Sequence, residues 1–394
     1  MKILQINTTC GVGSTGKICT GISDLLTQNG IENRILYSLK TNGHPAGIQC
    51  VPNGLYVKWQ ALKSRVFGNY GFHSRRATKK LIAAISSEKP DIVHLHNIHG
   101  HDCDLEMLFT YFKKNKTKLI WTFHDCWAFT AYCPHFTMMK CQKWQEGCGD
   151  CVQRREYSWF FDRSVELYQR KKELFSDLDL TIVTPSRWLA DLVKQSFLKD
   201  YPVEVIHNGI DLSVFSPRES KWREKYHMED KKILLGVAFD WGVRKGLDVF
   251  LDLAKSLPQN YQIVLVGTND QIDQTLPSNI ISIHRTQNQG ELAELYSAAD
   301  LFVNPTREEN YPTVNMESLA CGTPVLTFKT GGSPEIIDTT CGAVVDCDDI
   351  EALKKEILRI CENAPYPKEA CIEKAKAFDK EARFGEYLAL YQRL

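Results

Sequence analysis

The sequence contains no apolar run of about 18 or more residues, which argues against a membrane-spanning helix. The opening stretch, Met1 to Asn7, lacks a long apolar segment and a small-residue cleavage site. It therefore reads as a first strand rather than a secretory signal, and the chain is expected in the cytosol. There is no net charge, with 48 Lys and Arg against 48 Asp and Glu, so average charge points to no class of partner. Internal repeats and low-complexity tracts are also missing. One local absence is sharper. Between Glu32 and Glu88 there is no acidic residue, while nine Lys or Arg fall there, among them Lys58, Lys63, Arg65, Arg75, Arg76, Lys79 and Lys80. Leu55, Tyr56, Trp59, Leu62, Val66 and Phe67 interleave with them. Such a stretch suits an interfacial helix on an anionic membrane, with a solvated basic face as the plainer reading. No nucleic-acid-binding module accompanies it, so no nucleic acid is expected as partner.

What is present is an ordinary globular composition, 43% hydrophobic and 24% charged over 394 residues. That length exceeds one typical core and predicts two domains. Short β-branched runs alternate with amphipathic helical stretches, the pattern of parallel α/β sheets. The runs predict strands at 2–6, 32–37, 91–95, 118–123, 181–185 and 203–206. In the second half they fall at 232–238, 262–267, 280–284, 301–304, 324–328 and 342–345. The expected organisation is a first Rossmann-like domain over 1–211, a second over 212–380, and a C-terminal helix over 381–394 packing back on the first. Doubly wound sheets bind ligands at the carboxyl ends of their strands, so the loops there carry the chemistry.

The first such loop, Gly11-Val12-Gly13-Ser14-Thr15-Gly16-Lys17, nearly matches a P-loop, but Ile18 stands where a magnesium-binding hydroxyl is needed. A glycine loop whose backbone N–H groups face phosphate is the safer reading, with Gly13 and Ser14 as contacts. His94, His96, His99 and His101 crowd a strand end and read as a wall of histidines more readily than as a metal site. His124, at the next strand end, is placed to act as a base or to orient a sugar by hydrogen bonding. A Cys-rich insertion over 126–151 follows. In a cytosolic chain its Cys133, Cys141, Cys148 and Cys151 suit a closed structural zinc site, with a dry cluster of free thiols as the other reading.

In the second half, Glu309-Asn310-Tyr311-Pro312-Thr313-Val314-Asn315-Met316-Glu317 reads as the mouth of a helix, with Pro312 at its first position. Free N–H groups at Thr313 and Val314 and the helix dipole would attract a diphosphate, and the two carboxylates would hold hydroxyls. Phe239-Asp240-Trp241-Gly242-Val243-Arg244-Lys245-Gly246 places two adjacent cations after a strand, suited to balancing a leaving diphosphate.

These segments together resemble family-4 retaining glycosyltransferases. The E-x7-E spacing of Glu309 and Glu317, the continuation Ala320-Cys321-Gly322-Thr323-Pro324-Val325 and the lysine of a strand-loop KG element at Lys245 carry the resemblance. It implies a GT-B fold, in which two Rossmann-like doubly wound domains face a central cleft. It also implies a nucleotide-sugar donor, UDP-linked by preference, and retention without a divalent metal. Glu309 would contact the donor sugar, Glu317 the ribose, and Tyr311 and Thr286 other parts of the donor. His124 would lie near the reacting sugar. Asp240 occupies the family's arginine position, a departure that Arg244 would have to offset. Similar Cys-rich insertions occur in bacterial polysaccharide enzymes of capsule and lipopolysaccharide type. The insertion narrows the subfamily but not the acceptor; the resemblance as a whole implies a saccharide or polyprenyl-diphosphate-linked acceptor and a peripheral place on the inner face of the membrane. Two other readings stay open: a GT-B sugar-nucleotide epimerase, and a non-catalytic membrane-surface binder.

Overall fold

The computed structural model describes residues 1–50 and 54–394. The chain forms two compact units, one of Met1–His207 with Arg383–Leu394 and the other of Asn208–Ala382. Each is built on one parallel sheet.

In the first unit the strands are β1 (Lys2–Cys10), β2 (Glu32–Thr41), β3 (Gly47–Gln49), β4 (Ile92–Leu95), β5 (Leu119–Thr122), β6 (Leu180–Thr184) and β7 (Val203–Val205). They lie in the order β3-β2-β1-β4-β5-β6-β7. Strands β4, β5 and β6 are buried along their whole length, as parallel strands covered on both faces must be. β1 and β2 run past their predicted ends and pair to Cys10 and Thr41, with a register shift between Asn7 and Thr9. β3 was not foreseen. It is a three-residue edge strand without a buried alternation, so it carries no periodic signal.

The second unit holds β8 (Lys232–Val237), β9 (Tyr261–Val266), β10 (Ile280–Ile283), β11 (Leu301–Asn304), β12 (Val325–Phe328) and β13 (Gly342–Val345). Their order is β10-β9-β8-β11-β12-β13. In both sheets the order of strand addition therefore reverses beside the first strand, at β1/β4 and at β8/β11. Such switch points leave a crevice outside the carboxyl ends of two strands whose loops run opposite ways, which is where doubly wound sheets bind ligands.

The last helix, Lys380–Arg393, buries Phe384, Tyr387, Leu390 and Tyr391. They pack with Ile3, Ile18, Ile22 and Ile120 of the first unit. Its buried tyrosine hydroxyls find partners there: Tyr391 with His94 Nδ1 at 2.6 Å, and Tyr387 with Thr122 at 3.2 Å. A buried hydroxyl needs such a partner to offset its lost hydration.

Candidate active site

The β8/β11 switch point of the second unit brings two distant loops together. After β8 the chain turns through Val243–Lys245, a single 3-10 turn, and enters the helix Leu247–Ser256 at Gly246. Gly246 has φ +77°, and a Cβ there would stand 2.4 Å from the Pro305 carbonyl oxygen, so a side chain would force the two loops apart. After β11 the chain runs through Pro305–Pro312 to the helix Thr313–Ala320. Lys245 Nζ meets Glu309 Oε2 across this junction, each side chain about four-fifths shielded from water. The other Glu309 oxygen accepts the Asn310 N–H at 3.1 Å. Gly331, at φ +53°, lies so close behind that a Cβ would stand 1.7 Å from the Glu309 carbonyl oxygen. The acid is thus fixed from both sides.

Helix Thr313–Ala320 begins without a side-chain cap. Pro312 is the residue before it, extended at φ −72° and ψ 116°, and not its first helical residue as the sequence suggested. The mouth therefore opens one residue later, with Thr313 and Val314, both half-buried, as the first N–H donors. Glu317 lies just past the first turn, where its Oε2 accepts the Tyr296 hydroxyl at 3.3 Å. Tyr311 is a core side chain, its ring edge-on to Phe378 at 6.5 Å, and its carbonyl accepts the Asn208 side-chain amide at 3.3 Å, so its ring does not present itself to a ligand. Thr286 lies half-buried in the loop after β10.

Sequence reasoning missed Arg307. Its guanidinium grips Asp248 through two bonds of 2.8 and 2.7 Å, takes Asp348 at 2.7 Å and reaches the Val243 carbonyl, while its own N–H donates to the Arg244 carbonyl at 2.9 Å. One arginine thus ties the Lys245 turn to the loop that carries Glu309. Asp248, bonded to Arg307, has its carboxyl held below the usual range. Nothing in the sequence pattern pointed to it, since its partners lie 59 and 41 residues away. The Arg244 side chain is half-buried and forms no ion pair among the described residues, and Asp240 is exposed.

In the first unit, the β1/β4 switch point is lined by the turn at Gly13 and Ser14, both exposed where helix Gly13–Gln28 starts, and by the histidines after β4. His124, beyond β5, faces His96 with Nε2 and Nδ1 3.1 Å apart. His96 also meets Gln5 at 3.2 Å, and His99 bonds Asp125 at 2.9 Å. Burial pushes His124 and His99 down to about 4 and His94 to about 3, so these rings are neutral at physiological pH and act as hydrogen-bonding groups. His124 therefore suits orienting a hydroxyl better than carrying a proton.

Cys133, Cys141, Cys148 and Cys151 lie in one region. Burial pushes Cys133 up to about 12 and Cys148 to about 11, with the neighbouring sulfurs adding to both. Among the described residues, however, the three-membered group at ligating distances is Asp270, Asp273 and His284, all exposed. The four thiols couple electrostatically to one another, and no step of the chemistry is routed through them.

Comparison with known proteins bears on the family and the fold. The model for Glycosyltransferase Family 4 matches residues 18–214, half of the chain, and that for Glycosyl transferases group 1 matches 218–383. WcaC of Escherichia coli K12, named for colanic acid biosynthesis, is 23% identical with both chains covered in full. The D-inositol 3-phosphate glycosyltransferase of Mycolicibacterium smegmatis is 28% identical over 57% of this chain and 55% of its own. Among solved structures, HepE of Anabaena in complex with UDP-glucose superposes with a TM-score of 0.71 at 13% identity, covering both chains in full. The lipopolysaccharide glycosyltransferase WaaG gives 0.68 at 18%, covering 98% of each. These two likenesses show the fold, a GT-B pair of Rossmann-like domains.

Proposed function

We propose that this chain, which belongs to the family-4 glycosyltransferases, transfers a sugar from a nucleoside-diphosphate donor to a saccharide acceptor with retention at the anomeric carbon. The observation that carries the reading is the Lys245–Glu309 contact beside an uncapped helix mouth. An ammonium has three donors, so Lys245 can keep Glu309 and still reach a phosphate. Thr313 and Val314 supply N–H groups toward the same charge, Arg244 adds a cation from the preceding position, and Glu317 holds the ribose. UDP is the favoured nucleotide; that HepE binds UDP and UDP-glucose supports it. The names of WcaC and WaaG support a role in bacterial surface polysaccharide synthesis; the lipid-linked acceptor is our own extension of that role.

The chemistry follows from the charge placement. The acceptor oxygen attacks the anomeric carbon from the face the diphosphate leaves, the carbon–oxygen bond to the β-phosphate breaks, and the acceptor proton passes to a β-phosphate oxygen. Lys245 and the helix mouth stabilise the negative charge that grows on that phosphate, the place of a divalent cation in other designs. Glu309 holds the sugar hydroxyls, and no protein nucleophile is needed. Incubation with a panel of UDP- and GDP-sugars and a polyprenyl-diphosphate saccharide tests this. Proton NMR should show a product with the donor's anomeric configuration, formed equally well in excess EDTA. An inverted product, or a changed donor sugar without acceptor, would overturn the reading.

A further inference from the structure

We propose that the helix Gly54–Phe67 and the loop Trp159-Phe160-Phe161 form one docking surface for an anionic bilayer. The helix is oriented the wrong way round for a soluble protein. Val57, Gln60 and Ser64 face inward and are buried, while Leu55, Trp59 and Leu62 face water, Leu55 with 74% and Trp59 with 55% of its surface exposed. At about 100° per residue, Leu55, Trp59, Leu62 and Val66 fall within about 60° of arc, on the face opposite Gln60 and Ser64. A helix that buries polar residues and shows a continuous apolar stripe has its apolar face reserved for something other than its own core. By the same geometry Lys58 and Arg65 flank the stripe on one side and Lys63 on the other.

The second element adjoins the first. The Trp159 N–H donates to the Arg65 carbonyl at 2.8 Å, which fixes the loop against the carboxyl end of the helix. Trp159, Phe160 and Phe161 are all exposed, Phe160 by 64%. Cations border this loop as they border the helix: Arg163, paired with Glu166 at 3.6 Å, stands 5.8 Å from the Phe161 ring, and Arg154 donates to the Phe160 carbonyl at 3.3 Å. Aromatic rings at the water boundary and cations around them match the interfacial layer and headgroups of a bilayer rich in anionic lipid. On the helix side complementarity of charge selects that occupant, because residues 33–87 contain no acidic side chain to repel it, while beside the loop the exposed Glu156 and Asp162 stand among Arg154, Arg155 and Arg163.

This surface stands on its own observations and does not depend on the donor chemistry. Its test uses the full chain without donor or acceptor, so its failure and that of glycosyl transfer are separable. Co-sedimentation with vesicles of phosphatidylcholine alone and with added phosphatidylglycerol is the measurement. The wild type should bind the phosphatidylglycerol vesicles, lose binding as salt rises, and ignore neutral ones. Replacing Lys58, Lys63 or Arg65 by Gln should weaken partition roughly fivefold for each cation removed. Trp59→Ala with Leu62→Ala, and separately Phe160→Ala with Phe161→Ala, should each weaken it by about tenfold or more while leaving the melting temperature unchanged. Absence of vesicle binding, binding untouched by these substitutions, or a wild-type dimer in solution that the same substitutions turn into monomer would overturn the proposal.

Discussion

Lys245 and Glu309 lie 64 residues apart in sequence and meet because β8 and β11 are neighbours in the sheet. Both were legible as candidates, since each falls on a motif residue, and their contact follows from the strand order. Lys245→Ala should lower kcat/KM by roughly 100- to 1,000-fold, on the order of 3 kcal/mol of transition-state stabilisation, with the melting temperature little changed. Steady-state kinetics on the transfer reaction checks it. Arg307 was not legible: an isolated arginine before two glutamates gives no hint that its partners are Asp248 and Asp348. It touches loops rather than donor, so it is a positioning residue. Arg307→Lys forfeits the paired bonds to Asp248 and should raise KM for the donor several-fold and lower the melting temperature by a few degrees. A change in kcat alone, with KM and melting intact, would show that it acts otherwise.

At the scale of elements, the strands were legible because buried parallel strands are short β-branched runs bounded by turns, while β3 was not, having neither length nor alternation. The basic stretch after β2 was also visible, but a sequence gives no means of knowing which side of a helix faces inward. Only the fold shows that Gln60 and Ser64 are buried and Trp59 is not. The exposed aromatic loop at 159–161 is too short to carry a period and went unnoticed. The terminal helix is held by side chains whose partners were beyond the reach of pattern. Tyr391→Phe removes the hydroxyl facing His94 and leaves a buried ring nitrogen without it. It should lower unfolding free energy by about 1–3 kcal/mol in a denaturant titration, without altering donor affinity.

Across the whole molecule the buried histidines set a pH dependence. Burial holds His73 and His94 at about 3 and His99, His101 and His124 at about 4, against about 6.5 for an exposed ring. Between those values the unfolded chain binds more protons than the folded one, so stability is greatest above pH 6.5 and falls as pH drops toward 4. Each unit of depression is worth about 1.4 kcal/mol per histidine. Asp102 and Asp125, whose carboxyls burial pushes up, act in the opposite sense but are fewer. Scanning calorimetry should show the melting temperature declining steadily from pH 7 to pH 4.5; a flat profile would mean that the rings are hydrated. No helix among the described residues is long and apolar enough to cross a membrane. The central claim concerns the second unit, and a crystal structure with a nucleoside-diphosphate sugar tests it most directly. The account predicts the diphosphate between Lys245 Nζ and the Thr313 and Val314 N–H groups, with Glu317 at the ribose. A donor bound elsewhere, with neither Lys245 nor Glu309 touching it, would contradict it.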